Sequence, residues 1–118
     1  MTDFNPAELK QFTGSQEWFR HTLNRSVLFT EGAKWVADKA GSYWLLDEIV
    51  LAQMHVRAVK THQFQVWRLV VANRRGTLIC EDGNDQQVYS KEILFTDFPS
   101  CGVTLWFTDG VILLPSEY

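Results

Sequence analysis

The sequence predicts an α+β fold in which N-terminal helices pack on a mostly antiparallel sheet formed by the second half of the chain. Three observations predict it. Helix start and stop residues bracket two apolar-periodic segments before residue 60. From His62 onward, β-branched and aromatic residues punctuated by Gly-containing turns replace the helical spacing. Finally, Asp109-Gly110 stands between two short apolar runs, as the turn of a two-residue hairpin does.

The first helix is signalled by Asn5 as N-cap, Pro6 at the first helical position and Glu8 at the capping-box position. Phe4 and Leu9 are spaced to close a hydrophobic staple, and Gly14 is the expected stop. Trp18 to Phe29 has extended character interrupted by turn-forming Asn24, with Val27, Leu28 and Phe29 as a short strand. Thr30 then caps a helix from Glu31 to Ala40, whose Ala33, Val36, Ala37 and Ala40 share one face and which Gly41 ends. Tyr43 to Met54 is a second helix with apolar residues around most of its circumference, which predicts burial on more than one side.

The strands follow in succession. Gln63 to Ala72 runs into the turn Asn73-Arg74-Arg75-Gly76, Thr77 to Glu81 into Asp82-Gly83-Asn84-Asp85, and Gln87 to Phe95 into a loop through Pro99. In the last hairpin the two-residue turn sets the register, pairing Thr108 with Val111, Phe107 with Ile112, Trp106 with Leu113 and Leu105 with Leu114. Both faces of this hairpin are apolar. It is therefore covered on both sides, or Trp106 and Leu113 belong to a patch that meets a partner.

A chain of 118 residues with no linker-like stretch reads as one domain, 1–118. Its 46% hydrophobic content and five tryptophans exclude a disordered chain. The sequence has no long apolar run and no leader-like start, so it predicts a cytoplasmic protein with no membrane partner. Cys80 and Cys101 lack metal-ligand spacing and read as reduced thiols. The net charge of −3 is unevenly spread. No acid occurs from Ile49 to Cys80, where Arg57, Lys60, Arg68, Arg74 and Arg75 fall; from Glu81 onward seven acidic residues face Lys91 alone. Such an asymmetry reads either as cross-strand pairing between neighbouring strands or as a binding surface of one sign.

The runs Tyr43-Trp44-Leu45-Leu46-Asp47-Glu48-Ile49, Asp82-Gly83-Asn84, Phe95-Thr96-Asp97-Phe98-Pro99 and Leu114-Pro115-Ser116-Glu117-Tyr118 form a recognisable pattern. It resembles a small uncharacterised bacterial family, a domain of unknown function. The resemblance implies short stand-alone proteins of cyanobacteria and other bacteria, near plasmid, phage or conjugative-element genes. It implies no activity and no catalytic residue.

No catalytic signature and no metal or cofactor motif emerges from the residues themselves. Asp82-Gly83-Asn84-Asp85 lacks the spacing and closing Glu of a calcium loop and reads as a hairpin turn. Cys101 has no local partner pattern with His21, His55 or His62. The favoured role is a protein-interaction or regulatory module whose partner is another protein or a second copy of the chain. Its surface centres on Trp106 and Leu113, with Trp67 as neighbour. A small enzyme with a carboxylate pocket between helices and sheet, at Asp47, Asp97 or Asp109, is the alternative. A third class is nucleic-acid binding through segment 57–75, with Arg68, Arg74 and Arg75 on phosphates and Trp67 and His62 as stacking rings.

Overall fold

The computed structural model describes residues 5–13 and 17–118; Phe4 of the expected staple and the expected stop Gly14 lie outside them. Asn5 caps as its spacing predicts, accepting from the Ala7 N–H at 3.0 Å while the Glu8 carboxylate accepts from the Asn5 N–H at 3.0 Å. The element it opens is a 3-10 helix, Pro6–Gln11, and not an α-helix. Six residues with no fully buried side chain supply too little packing to propagate α-helical turns.

Strands β1 (Trp18–Arg20) and β2 (Leu28–Thr30) form an antiparallel pair. The chain passes directly from β2 into α1 (Glu31–Ala40), where the Thr30 hydroxyl accepts from the Ala33 N–H at 3.2 Å. Gly41 ends the helix in the left-handed conformation, φ 59°. Next comes α2 (Tyr43–His55), which buries Leu45, Leu46, Ile49, Val50 and Ala52, and then the single turn α3 (Arg57–Lys60). The remaining strands are β3 (Phe64–Ala72), β4 (Arg75–Glu81), β5 (Gln87–Ile93), β6 (Val103–Thr108) and β7 (Val111–Leu113).

All seven strands belong to one sheet of order β1-β2-β7-β6-β3-β4-β5. Here the expected architecture needs correction. The sheet is mixed, because β2 pairs with β7 in parallel through Leu28–Val111 and Phe29–Ile112. Two strands come from the first half, and α1 to α3 sit between β2 and β3 instead of preceding the sheet. The physical reason is that the β6–β7 hairpin leaves the outer edge of β7 unpaired, and β2, held close by the short passage into α1, satisfies it.

The last hairpin has the predicted register, with Asp109 and Gly110 at φ 51° and 77°. The β3–β4 turn is tighter than expected. Asn73 and Arg74 alone make it, at φ 53° and 64°, and β4 resumes at Arg75.

One face of the sheet packs on the helices. Trp67, Leu69, Leu78, Cys80, Leu105, Phe107 and Ile112 meet Ala33, Val36, Leu45, Leu46 and Ile49 there, all buried in one cluster. Each large side chain removed from water contributes about 1.5–3 kcal/mol. Within this apolar layer lies a polar junction. The Gln65 carbonyl oxygen accepts from Gln53 Nε2 at 2.6 Å and Trp67 Nε1 at 2.9 Å. Its amide nitrogen shares its two N–H groups among Gln53 Oε1, Val59 O and His62 O at 2.9, 3.0 and 2.8 Å. A fully satisfied buried amide of this kind ties α2, α3 and β3 to one register.

The chain's last elements close the fold. In the 3-10 turn Pro115–Glu117, the Glu117 carboxylate accepts from Thr30 Oγ1 at 2.6 Å, Gly32 N at 3.1 Å and Leu114 N at 2.9 Å. An anion is thereby held at the N-terminus of α1, where the helix dipole favours it. No helix of the described residues is long and apolar enough to cross a membrane.

Candidate binding face

The opposite face of the sheet is built from the alternate residues of the same strands: Phe64, Val66, Arg68 and Val70 of β3, Thr77 and Ile79 of β4, and Thr104 and Trp106 of β6. The two 3-10 turns, the loop residues Ser100 to Gly102 and Tyr118 approach it. Trp106 is half-buried and meets Phe64 and Tyr118 edge-on, with ring centroids 5.2 and 5.3 Å apart. Leu113 lies opposite Trp106 on this face, but it is buried.

Trp67 does not join them. Val66 is the residue that faces Trp106 across β3 and β6, so Trp67, one position on, points into the helix layer and is 1% exposed. Its N–H is already committed to Gln65 at 2.9 Å. That placement also removes Trp67 as a stacking ring for nucleic acid. The basic residues of segment 57–75 are spread along β3, with Arg57 and Lys60 before it, Arg68 in its middle and paired with Glu81, and Arg74 and Arg75 beyond it, the two outer pairs about 25 Å apart along the strand.

The concave feature of this face is a trough of about 490 Å³ at the end where β6 begins. Its floor is β3 and the start of β6, and its walls are the two 3-10 turns, joined by a 3.3 Å hydrogen bond from Ser116 Oγ to Leu9 O. Leu9, Val70 and Pro115 supply apolar lining and Ser100, Thr104 and Ser116 hydroxyls, while Lys10 and Arg68 are its charged residues. Arg68 is oriented by Glu81, which accepts from Nε at 3.2 Å and Nη2 at 3.1 Å. The half-exposed Val70 leads from the trough toward a corner where Leu94 and Phe95 are 75% and 66% exposed. Arg74 lies over the Phe95 ring at 5.9 Å, and Arg75 is exposed beside them.

The three carboxylates of the alternative pocket stand apart. Asp47 Oδ1 is 2.8 Å from Nε2 of His21, a buried ring whose Nδ1 accepts from the Leu23 N–H at 3.0 Å. Both ring nitrogens are thus occupied, and Nε2 carries the proton. Asp97 follows Thr96, whose N–H binds Arg74 O at the far end of β3, whereas Asp109 turns the β6–β7 hairpin at the near end. Asp109 does line a second, polar cavity of about 280 Å³ together with Lys60, His62 and Gln53. Glu48, beside Asp47 on α2, points elsewhere, to Lys91 at 2.8 and 2.9 Å.

Asp82 accepts from the backbone N–H groups of Asn84 at 2.8 Å and Gln86 at 3.2 Å, which hold its carboxyl below the usual range and mark it as a turn anchor. Burial pushes the Cys80 thiol up to about 12, while Cys101 is exposed in the trough wall. Among the described residues no three His, Cys, Asp or Glu side chains are placed to share a metal ion.

The family model that matches the chain runs over residues 4–118, nearly its whole length. The chain belongs to the family of unknown function DUF6876. No curated protein and no solved structure matches it. For this DUF6876 chain the site must therefore be argued from its own residues. Of those, Lys10, Val70, Leu94 and Phe95 are the ones that motif reasoning passes over. A signal existed for Leu94 and Phe95: Ile93-Leu94-Phe95 are three consecutive apolar residues, and a strand turns successive side chains to opposite faces.

Proposed function

We propose that the chain is a protein-interaction module that receives a partner protein, or a second copy of itself, on the helix-free face of its sheet. The observation that carries this reading is the apolar exposure at one corner of that face, Val70 at 48% with Leu94 and Phe95 beyond it. Exposed apolar side chains contiguous with a concavity are the usual mark of a binding surface. Cys80 and Cys101, neither in a disulfide, suit a reducing compartment and support placing the role in the cytoplasm. The motif resemblance supports a bacterial setting among mobile-element genes.

The test is a tagged pull-down from the native host, comparing wild type, Val70→Asp and Trp106→Ala, with light scattering of the purified chain alongside. We expect a specific partner, or a concentration-dependent dimer, that Val70→Asp abolishes. A wild type that stays monomeric and recovers nothing specific defeats the reading.

A further inference from the structure

The charge of the trough differs from that of the chain around it. Although the whole sequence carries a net −3, the lining contains Lys10 and Arg68 and, among the described residues, no Asp or Glu. The Arg68 guanidinium is held in place by Glu81 through Nε and Nη2, and its Nη1 and second Nη2 N–H groups make no contact with Glu81. Lys10 stands exposed on the opposite wall. Between them lie Ser100, Thr104 and Ser116, whose hydroxyls can donate or accept and so suit the alternating N–H and C=O groups of a main chain.

The extent of the surface decides between a compact ligand and a chain. Val70 pairs with Thr77 and Thr77 with Glu92, so the corner at Leu94 is two strands across and two residues along from Val70. That separation is about 12 Å, the length of about four residues of extended peptide. A small anion bound in the trough would leave Leu94 and Phe95 in water. An extended segment covers all of them, with Arg74 and Arg75 at the far end to meet further carboxylates.

Resting on the interaction reading above, we infer that this trough and the Val70–Leu94 corner together bind an extended acidic peptide segment of the partner. Its apolar side chains occupy the middle of the segment and seat on Val70 and Leu94, and its carboxylates lie toward the two ends. Lys10 and Arg68 take one end of the segment and Arg74 and Arg75 the other.

Fluorescence anisotropy on the full chain tests this with a labelled short peptide that carries Glu at both ends of a centre containing Leu and Phe, its Gln-for-Glu counterpart and its Lys-for-Glu counterpart. The acidic peptide is expected to bind at least about tenfold more tightly than the Gln form, to weaken as salt rises, and to lose about tenfold or more in Lys10→Glu. Lys10 is exposed, so this variant keeps the fold; a circular dichroism melt verifies it, and Arg74→Glu serves as the second variant. Equal binding of the Gln peptide, indifference to Lys10→Glu and Arg74→Glu, absence of binding by any peptide, or full competition by free glutamate overturns the inference. The two readings fail separately. If Val70→Asp abolishes capture of the host partner while Lys10→Glu and Arg74→Glu do not, the docking face stands and its acidic-peptide specificity falls.

Discussion

A Cβ added to Gly32 would stand 2.6 Å from Glu117 Oε1 and 2.6 Å from Leu114 Cδ1, so the absence of a side chain at the second position of α1 is what lets the Glu117 carboxylate reach the helix N-terminus. Neither neighbour is free to yield. Glu117 is fixed by three hydrogen bonds, and Leu114 is 1% exposed.

Replacing a helical glycine by alanine ordinarily stabilises by up to about 1 kcal/mol. Gly32→Ala is expected to reverse that sign, with a net loss of about 1–3 kcal/mol from overpacking. Urea unfolding followed by tryptophan fluorescence measures it; a more stable variant would mean that Glu117 is not held against Gly32.

The two tryptophans on opposite faces predict contrasting costs. Trp67→Ala empties a fully buried site and removes one of the two donors to the Gln65 carbonyl, so a loss of about 3–5 kcal/mol is expected. Trp106→Ala removes a half-buried ring that already meets water, and the variant is expected to lose clearly less and to remain folded. Comparable losses at both positions would contradict the assignment of faces.

His21 is expected to be a neutral imidazole protonated at Nε2, because Nδ1 accepts from Leu23 and Nε2 faces Asp47. Nitrogen-15 NMR of the ring reports the tautomer directly. Asp47→Ala leaves the buried Nε2–H without its acceptor and is expected to cost about 1–3 kcal/mol. A ring protonated at Nδ1 would refute the assignment.

A thiol reagent at neutral pH should label Cys101 and spare Cys80 until denaturant is added, since Cys80 is buried and its thiol is pushed up to about 12. The same shift has a consequence for stability. Below the unfolded value of 9.0 both states hold the proton and the contribution is fully present. As pH rises from 9.0 toward 12, the unfolded thiol ionises first and the folded state loses ground. Cys80→Ala should flatten the loss of stability in that window. Rapid native labelling of Cys80 would contradict its placement.

Local signals made much of this architecture legible. Thr30 and Gly41 bound α1 because capping is settled within a turn of chain, and Asp109-Gly110 set the hairpin register because positive φ at two adjacent residues admits few partners. What stayed illegible depends on distant residues meeting. The parallel pairing of β2 with β7 joins three-residue strands with no turn between them, and no residue type announces it. The side that Trp67 takes is likewise set by pairing β3 with β6, strands separated in sequence by β4 and β5. At the candidate site, Arg68, Arg74 and Arg75 stood out by charge, whereas Val70 and Lys10 acquire meaning only once the trough exists.

The parallel pairing also imposes an order in time. While a ribosome is still making β3 to β6, the segment from Trp18 to Ala40 already exists with neither the β7 partner of β2 nor the Glu117 carboxylate at the N-terminus of α1, because both lie in residues 111–117. Closing a loop of that length is slow compared with forming a local hairpin. The nascent chain must therefore carry an unmatched strand edge through most of its synthesis, and a chaperone that shields β2 would act in that interval.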